Sequence, residues 1–355
     1  MCKVKKAIKI VKRIILGILV IILTLVIISG IVLGGRIISM MSIKHIGSDL
    51  YTMNYHQDYY LDEALTSELT TEDQLLNFVC EKMFFGYGVE ANLNKYACSA
   101  FITPTPGGDY IVGRNFGLGG SDTLSVYTHP KNGYASVSTV STDIMGVGAN
   151  SDIKTDDFYG RAIMLAAPYL AVDGMNEKGL FAALLDIDPG EIHTDNGKPD
   201  LMTTLAVRLL IDRAANVDEA IKILEQYDIH SVHGVAQHIF IADASGNAAV
   251  IEWHRNEMKV IDSKICTNFR MSAKALNNDF SGQCDRFDHI SEVLATKKEN
   301  TPEEAMGLLE DVKQEMIEYD IFTEWSIVCN LNNFTFDMCV DMDYNNVYHL
   351  DPTKY

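Results

Sequence analysis

The chain has 355 residues, 47% of them hydrophobic and 22% charged, with 25 glycines and eight prolines, a balance that excludes disordered, collagenous and repeat proteins. The net charge of −19 is uneven: residues 1–48 hold eight Lys or Arg and no acid, so 21 bases against 48 acids leave −27 on the remainder. So acidic a body repels phosphate backbones, which argues against nucleic acid as a partner.

Six of the first thirteen residues are basic (Lys3, Lys5, Lys6, Lys9, Lys12, Arg13), and an uncharged run of 22 residues follows from Ile14 to Gly35. At about 1.5 Å per residue the run spans a hydrocarbon layer about 30 Å thick, and it exceeds the ~7–15 apolar residues of a secretory signal. Residues 1–35 therefore read as a basic flank and a transmembrane anchor, with Ser29-Gly30 and Gly34-Gly35 as processing points if the segment is instead a cleaved signal. The basic flank stays inside, which places the rest of the chain outside the cytoplasm, membrane-anchored or, after cleavage, secreted. Residues 36–97 form a separate stretch. A polar, Tyr-rich leader precedes a helix that opens on the capping box Thr71-Glu72-Asp73-Gln74, is apolar at Leu75, Leu76, Val79, Met83 and Phe84, and ends at Gly86.

From Cys98 the pattern changes to short strands with turn punctuation. Ser99–Thr103, Tyr110–Asn115, Leu124–Thr128 and Ala135–Val140 read as an antiparallel meander, and 171–176 and 180–185 follow around a Glu-Lys-Gly turn. Helices are expected at 202–215 and 217–227, then strands at 238–242, 248–253, 257–261 and 264–268. Helices at 286–295 and 302–317 come next, the latter with Thr301 as cap and Pro302 at its first position. A hairpin of 325–330 and 334–340 closes the chain. Strand runs with inserted helix pairs give an α+β class, helices covering the outer faces of antiparallel sheets.

The seven cysteines (2, 80, 98, 266, 284, 329, 339) show neither CxxC pairs nor metal-ligand spacing, which removes zinc ribbons and thioredoxin-like sites. Cys329 and Cys339 fall in one hairpin and pair only if their registers match. His230, His233 and His238 lack a carboxylate-bearing helix motif and read as loop and strand residues; Gly117-Leu118-Gly119-Gly120 lacks the Lys-Ser/Thr of a phosphate loop. No metal and no organic cofactor is called for. Asn333-Phe334-Thr335 fits a glycosylation sequon in a eukaryotic secretory host.

The informative constellation begins at Cys98. Arg114 lies 16 residues on, and pairing about the Pro106-Gly107-Gly108 turn returns it to the cysteine, where a cation favours thiolate over thiol. Asn176 and Asn268 stand near turns, either as ordinary turn residues or as amide donors aimed at an oxyanion.

Cys98, Gly113-Arg114-Asn115, Gly174-Met175-Asn176-Glu177-Lys178-Gly179-Leu180, Thr267-Asn268 and Asp285-Arg286-Phe287, in this order over about residues 98–340, resemble the choloylglycine hydrolase (linear amide C–N hydrolase) family of N-terminal-nucleophile hydrolases. That family includes bile salt hydrolases, penicillin V acylases, N-acylethanolamine acid amidase and acid ceramidase. The resemblance implies a four-layer αββα sandwich over residues 98–355, preceded by the transmembrane helix and the helical prosegment. It implies that Cys98 is the nucleophile, freed by breakage of the Ala97–Cys98 bond so that its α-amino group becomes the base. Arg114 would hold the thiolate, Asn176 and Asn268 would donate to the oxyanion, and Arg286 would support the nucleophile by charge. The implied partner is a small N-acyl amide, hydrolysed through a thioester, and the resemblance leaves room for a homo-oligomer. One position departs from the family: Gly117 stands where an Asp is usual, three residues after the arginine, with Asp122 as the nearest substitute from a loop. A silent ligand-binding member of the same fold, an acyltransferase and an ordinary Cys-His protease are the competing expectations.

Overall fold

In the computed structural model the described residues are all except 1, 85, 87–96, 149–150, 188–189, 232–233, 274–279 and 317–320, and the side chains of 2–11, 25–29 and 31–32. The last part of the expected prosegment, His233 and the expected helix end at Ile317 lie outside them.

A long helix α1 (Cys2–Ser42) leads into strands β1 (Lys44–Gly47) and β2 (Leu50–Tyr55) and helices α2 (Leu61–Ala64) and α3 (Glu72–Phe84). The predicted capping box starts α3: Gln74 N donates to Thr71 Oγ1 at 3.3 Å and Thr71 N to Gln74 Oε1 at 3.1 Å. Then come β3 (Ala97–Pro104), β4 (Tyr110–Leu118), β5 (Thr123–Thr128), β6 (Ser136–Ser141), α4 (Phe158–Ile163), β7 (Asp173–Asn176), β8 (Phe181–Ile187) and β9 (Asp200–Met202). Helices α5 (Thr203–Arg213) and α6 (Val217–Leu224) precede β10 (Asp228–His230), β11 (Ala236–Ala242), β12 (Ala248–His254), β13 (Glu257–Asp262) and β14 (Ile265–Thr267). After α7 (Asp285–Thr296) and α8 (Pro302–Asp311), strands β15 (Glu315–Met316), β16 (Ile321–Asn330), β17 (Thr335–Val340) and β18 (Tyr348–Leu350) end the chain.

Two large sheets stack. One has nine strands in the order β1-β2-β5-β6-β7-β8-β11-β12-β13, the other runs β14-β3-β4-β16-β17-β18 with β15 beside β16. Helices α5 and α6 pack on the first and α7 and α8 on the second, so the αββα layering agrees with expectation. The meander does not. β3 pairs with β4 and β5 with β6, but β4 and β5 belong to different sheets. Hairpin signals are local and do not say which sheet a hairpin joins. The nine-stranded sheet is also mixed, because β2 runs parallel to β5 over Leu50–Tyr55.

That parallel ladder builds the segment before Cys98 into the sandwich. Leu50, Met53, Tyr55, Leu61, Leu75, Phe78, Val79 and Met83 are part of the single core, so residues 43–84 form an edge of the body rather than a cover over it. Among the described residues no helix is long and apolar enough to cross a membrane; the unbroken described side chains in the apolar part of α1 cover only 12–24. Cys329 faces Phe336 and Cys339 faces Ser326 across the β16–β17 hairpin, so the registers do not match and both thiols are free.

Candidate active site

Pairing sets the site. In the β3–β4 ladder Cys98 faces Phe116 and Ala100 faces Arg114, while on the other side Ala100 faces Cys266. Alternation puts Cys98, Arg114, Phe116 and Cys266 on one face of their sheet, the face turned to the nine-stranded sheet. There Arg114 donates from Nε to Asp173 Oδ2 (3.3 Å), from Nη2 to Leu184 O (2.8 Å) and from Nη1 to Asn115 O (2.8 Å). Trp325 Nε1 gives Asp173 Oδ2 a second donor at 3.1 Å, and the Trp325 ring stacks on Phe116 with centroids 4.1 Å apart.

Cys98 is completely buried. Burial pushes its pKa up; the charge and hydrogen bond of Arg114 and the Gly117 N–H pull the other way, and Asp186 adds to the rise. The net shift is upward, so the sulfur of the uncut chain is held as a thiol. Its backbone is gripped from both sides. Cys98 N donates to Asn268 Oδ1 at 2.5 Å, Arg286 Nη1 donates to Cys98 O at 2.5 Å, and Arg286 Nη2 donates to Asn268 Oδ1 at 3.1 Å. Two donors converging on one atom fix which end of the Asn268 amide is oxygen. Asn268 therefore accepts from the nucleophile's nitrogen, and its Nδ2 donates to Asp186 O at 2.8 Å.

Four of the five expected residues, Cys98, Arg114, Asn268 and Arg286, thus meet. Asn176 does not join them. Its Nδ2 donates to Ile211 O (3.0 Å) and Ala214 O (2.8 Å), and its Oδ1 accepts from Lys178 N (3.0 Å) and Leu180 N (3.1 Å). Both amide hydrogens are committed to the end of α5 and the oxygen to its own turn, so the ordinary turn reading holds in this structure. Asp122 also stays away: its carboxylate accepts from Thr155 Oγ1 in the loop that carries α4. Gly117 has a structural reason. A Cβ built there would lie 2.6 Å from Ala97 O and 3.1 Å from Phe322 O, so the carbonyl of the bond before Cys98 fills the space of the missing side chain.

Two features escaped the sequence reading. Asp186, buried at the end of β8, accepts from Gln237 Nε2 at 3.0 Å and bears on Cys98 by charge; the only signal was an acid closing the apolar run 180–185. Beside it lies a buried Cys-His-Glu row, with Cys266 Sγ 3.3 Å from His238 Nε2 and His238 Nδ1 3.1 Å from Glu252 Oε1. Although burial opposes ionisation, His238 and the Ser272 hydrogen bonds hold the Glu252 carboxyl at about 2. Burial and Glu252 push the Cys266 thiol well up. The cysteine that has a histidine is thus held as a thiol, and Cys98 has an arginine instead. Among the described residues no cluster of His, Cys, Asp and Glu could hold a metal ion. A surface cavity of about 310 Å³ between Tyr227, Trp253 and Met258 is lined by none of these residues.

A conjugated bile acid hydrolase from Clostridium perfringens has the same fold, with a TM-score of 0.55 and 16% identity over 73% of this chain and 93% of that one. A penicillin V acylase from Agrobacterium tumefaciens gives 0.53 and 18% over 72% and 87%. Both likenesses are to the fold of this chain. Residues 167–338 match the sequence model of the family described as acyl-coenzyme A:6-aminopenicillanic acid acyl-transferase. A penicillin V acylase from Pectobacterium atrosepticum is 27% identical over 186 residues, 44% of this chain and 49% of that relative. The chain is similar to the penicillin V acylases and bile acid hydrolases, and the match spans about half the length of the curated relative.

Proposed function

We propose that the chain is a self-processing cysteine amidase that hydrolyses the linear amide bond of a small N-acyl compound. The observation that carries this reading is the grip on Cys98: Asn268 on its nitrogen, Arg286 on its carbonyl and Arg114 beside its sulfur. A structural cysteine needs none of these. In the first reaction Cys98 Sγ attacks the Ala97 carbonyl carbon; the C–S bond forms, the C–N bond breaks, and the proton moves from sulfur to the released nitrogen. Water then cleaves that thioester and frees residues 1–97. In turnover the new α-amine, whose unperturbed pKa of about 7.7–8.0 suits a base near neutrality, takes the thiol proton as sulfur attacks the substrate carbonyl. The α-ammonium returns that proton to the substrate nitrogen as its C–N bond breaks, the substrate amine leaves, and water hydrolyses the acyl-thioester that remains. Arg114 stabilises the thiolate that forms, and Asn268 stays within reach of the amine that it already binds as an amide N–H.

We further propose that α1 anchors the chain in a membrane with the body outside the cytoplasm. The support is a 41-residue unbroken helix whose described side chains from Ile14 to Leu23 are exposed with no protein against them, behind six basic residues.

The test is intact mass and N-terminal sequencing of the full chain, wild type beside Cys98→Ala, over a range of pH. A new terminus at Cys98 in the wild type alone is expected, and a folded wild type left uncut at every pH overturns the self-processing reading. The processed protein is then given N-acyl amides and examined for an acyl adduct on Cys98. Transfer of the acyl group to an amine instead of water is a second reading, favoured by the acyl-transferase family model; product analysis with added amine acceptors separates the two.

A further inference from the structure

Helix α1 ends inside the body. Arg36 Nη2 donates to Lys82 O at 2.6 Å, Ser39 Oγ accepts from His56 N at 2.8 Å, and Ser42 Oγ both donates to Asn54 O (2.9 Å) and accepts from Asn54 N (3.0 Å). These bonds fix its last two turns to β2, the segment after it, and α3. Since α1 is one unbroken element from Cys2 to Ser42, no flexible linker separates the apolar run from the body.

The other side of those turns is apolar and bare. Ile37, Ile38 and Met41 are exposed, Met41 to 77%. Next to them, Arg161 Nη1 donates to Met40 O (3.4 Å) and Ile43 O (3.2 Å), tying α4 to the end of α1. The same helix α4 presents Phe158, 81% exposed, and Tyr159, 56% exposed. A helix end that met water would carry polar residues there, and a cluster of five large apolar side chains marks an interaction surface.

We infer that Ile37, Ile38, Met41, Phe158 and Tyr159 lie in the interfacial layer of the bilayer that α1 enters, so that the body sits on the membrane in one fixed orientation instead of hanging from a tether. This rests on the anchor reading. Continuity argues for lipid as the occupant: Ile37 is the second residue after the uncharged run, and at about 1.5 Å per residue Met41 lies within ~10 Å of its end, about the depth of the headgroup layer. Aromatic and aliphatic side chains are at home at that level.

The test uses the full chain in the Cys98→Ala form, reconstituted in 3:1 phosphatidylcholine and phosphatidylglycerol vesicles with and without brominated phosphatidylcholine. Tryptophan reporters are placed singly at Phe158→Trp, Leu19→Trp and Val260→Trp. The native Trp253 and Trp325 are buried and supply a constant background. Val260 is on β13, at the opposite edge of the nine-stranded sheet from β1, roughly 38 Å away at ~4.8 Å per strand. Quenching of the Leu19 and Phe158 reporters by at least twofold, with the Val260 reporter unchanged, is expected. A quenched Leu19 reporter with an unquenched Phe158 reporter overturns the surface while leaving the anchor standing. If neither is quenched, the anchor reading falls and the surface with it. Equal quenching at Phe158 and Val260 shows unoriented adsorption and also overturns it.

Discussion

Replacing Gly117 by alanine probes the strand before the nucleophile with a single methyl group. The added Cβ meets Ala97 O at 2.6 Å and Phe322 O at 3.1 Å. Ordinary contact lies near ~3.4 Å, so Ala97 must retreat by about 0.8 Å and Phe322 by a few tenths, a degree of overpacking that costs ~1–3 kcal/mol. Ala97 is paired with Gly117 in the β3–β4 ladder, so the retreat displaces the carbonyl that Cys98 must attack. In the Cys98→Ala background, urea unfolding of Gly117→Ala against Gly117 should show a loss of ~1–3 kcal/mol, and in the Cys98 background processing should slow by tenfold or more. Gly117→Asp, which would supply the acid usual in the resembled family, should fare no better, since its Cβ meets the same carbonyl. Gly107→Ala, where a Cβ would meet the Thr105 hydroxyl at an ordinary 3.6 Å, serves as the neutral control. Equal stability and equal processing for Gly117→Ala would refute the argument that Ala97 O fills the place of a side chain.

Asp173 compensates the fully buried Arg114 and accepts from Trp325, so Asp173→Ala leaves a buried cation without its partner and should cost ~3–5 kcal/mol in urea unfolding; a loss under ~1 kcal/mol would show that Arg114 is neutralised some other way. Glu252 is held at about 2 against an unfolded value near 4.3. A carboxyl lowered in the folded state adds stability above the unfolded value and loses it as pH falls towards the folded one. About 3 kcal/mol should therefore fade between pH ~4 and ~2, and Glu252→Gln should flatten that part of the stability-pH curve. Asp341, exposed at the surface, is raised to about 7, first by the partial desolvation of its carboxyl among neighbouring chain and then by its neighbour Asp49. The opposite sign applies: its stabilising share is present below pH ~4 and is lost as pH rises through 7, so Asp341→Asn should raise the unfolding midpoint more at pH 8 than at pH 4. Arg286→Lys gives up the two-pronged contact with Cys98 O and Asn268 Oδ1; at ~1.5–3 kcal/mol for a charged hydrogen bond, processing should slow by about 10- to 150-fold, read from the appearance of the Cys98 terminus.

Local pattern and tertiary pairing divide what could be read in advance. Hairpins β3–β4, β7–β8, β11–β12 and β16–β17 were legible because a turn joins partners that are neighbours in sequence. Strand β2 was not: it is buried on nearly every residue, so it shows no alternation, and its partner β5 begins 73 residues later. The site divides in the same way. Cys98 and Arg114 sit on one hairpin, and Asn268 and Arg286 flank them through β14 and α7, so motifs far apart in the chain lie together in space. Asn176 is held by its own turn and the end of α5, and a turn that satisfies its own asparagine looks, in sequence, like an amide held ready for a substrate. Asp186 and Asp173 could not be tied to Cys98 and Arg114 in advance for the converse reason. Each is one acid on a short strand, and alternation says which side chains share its face without saying that another sheet, carrying Cys98 and Arg114, lies against that face. Gly117 gains its meaning in the same manner, since an absent side chain can be interpreted only once the atom occupying its place, Ala97 O, is known.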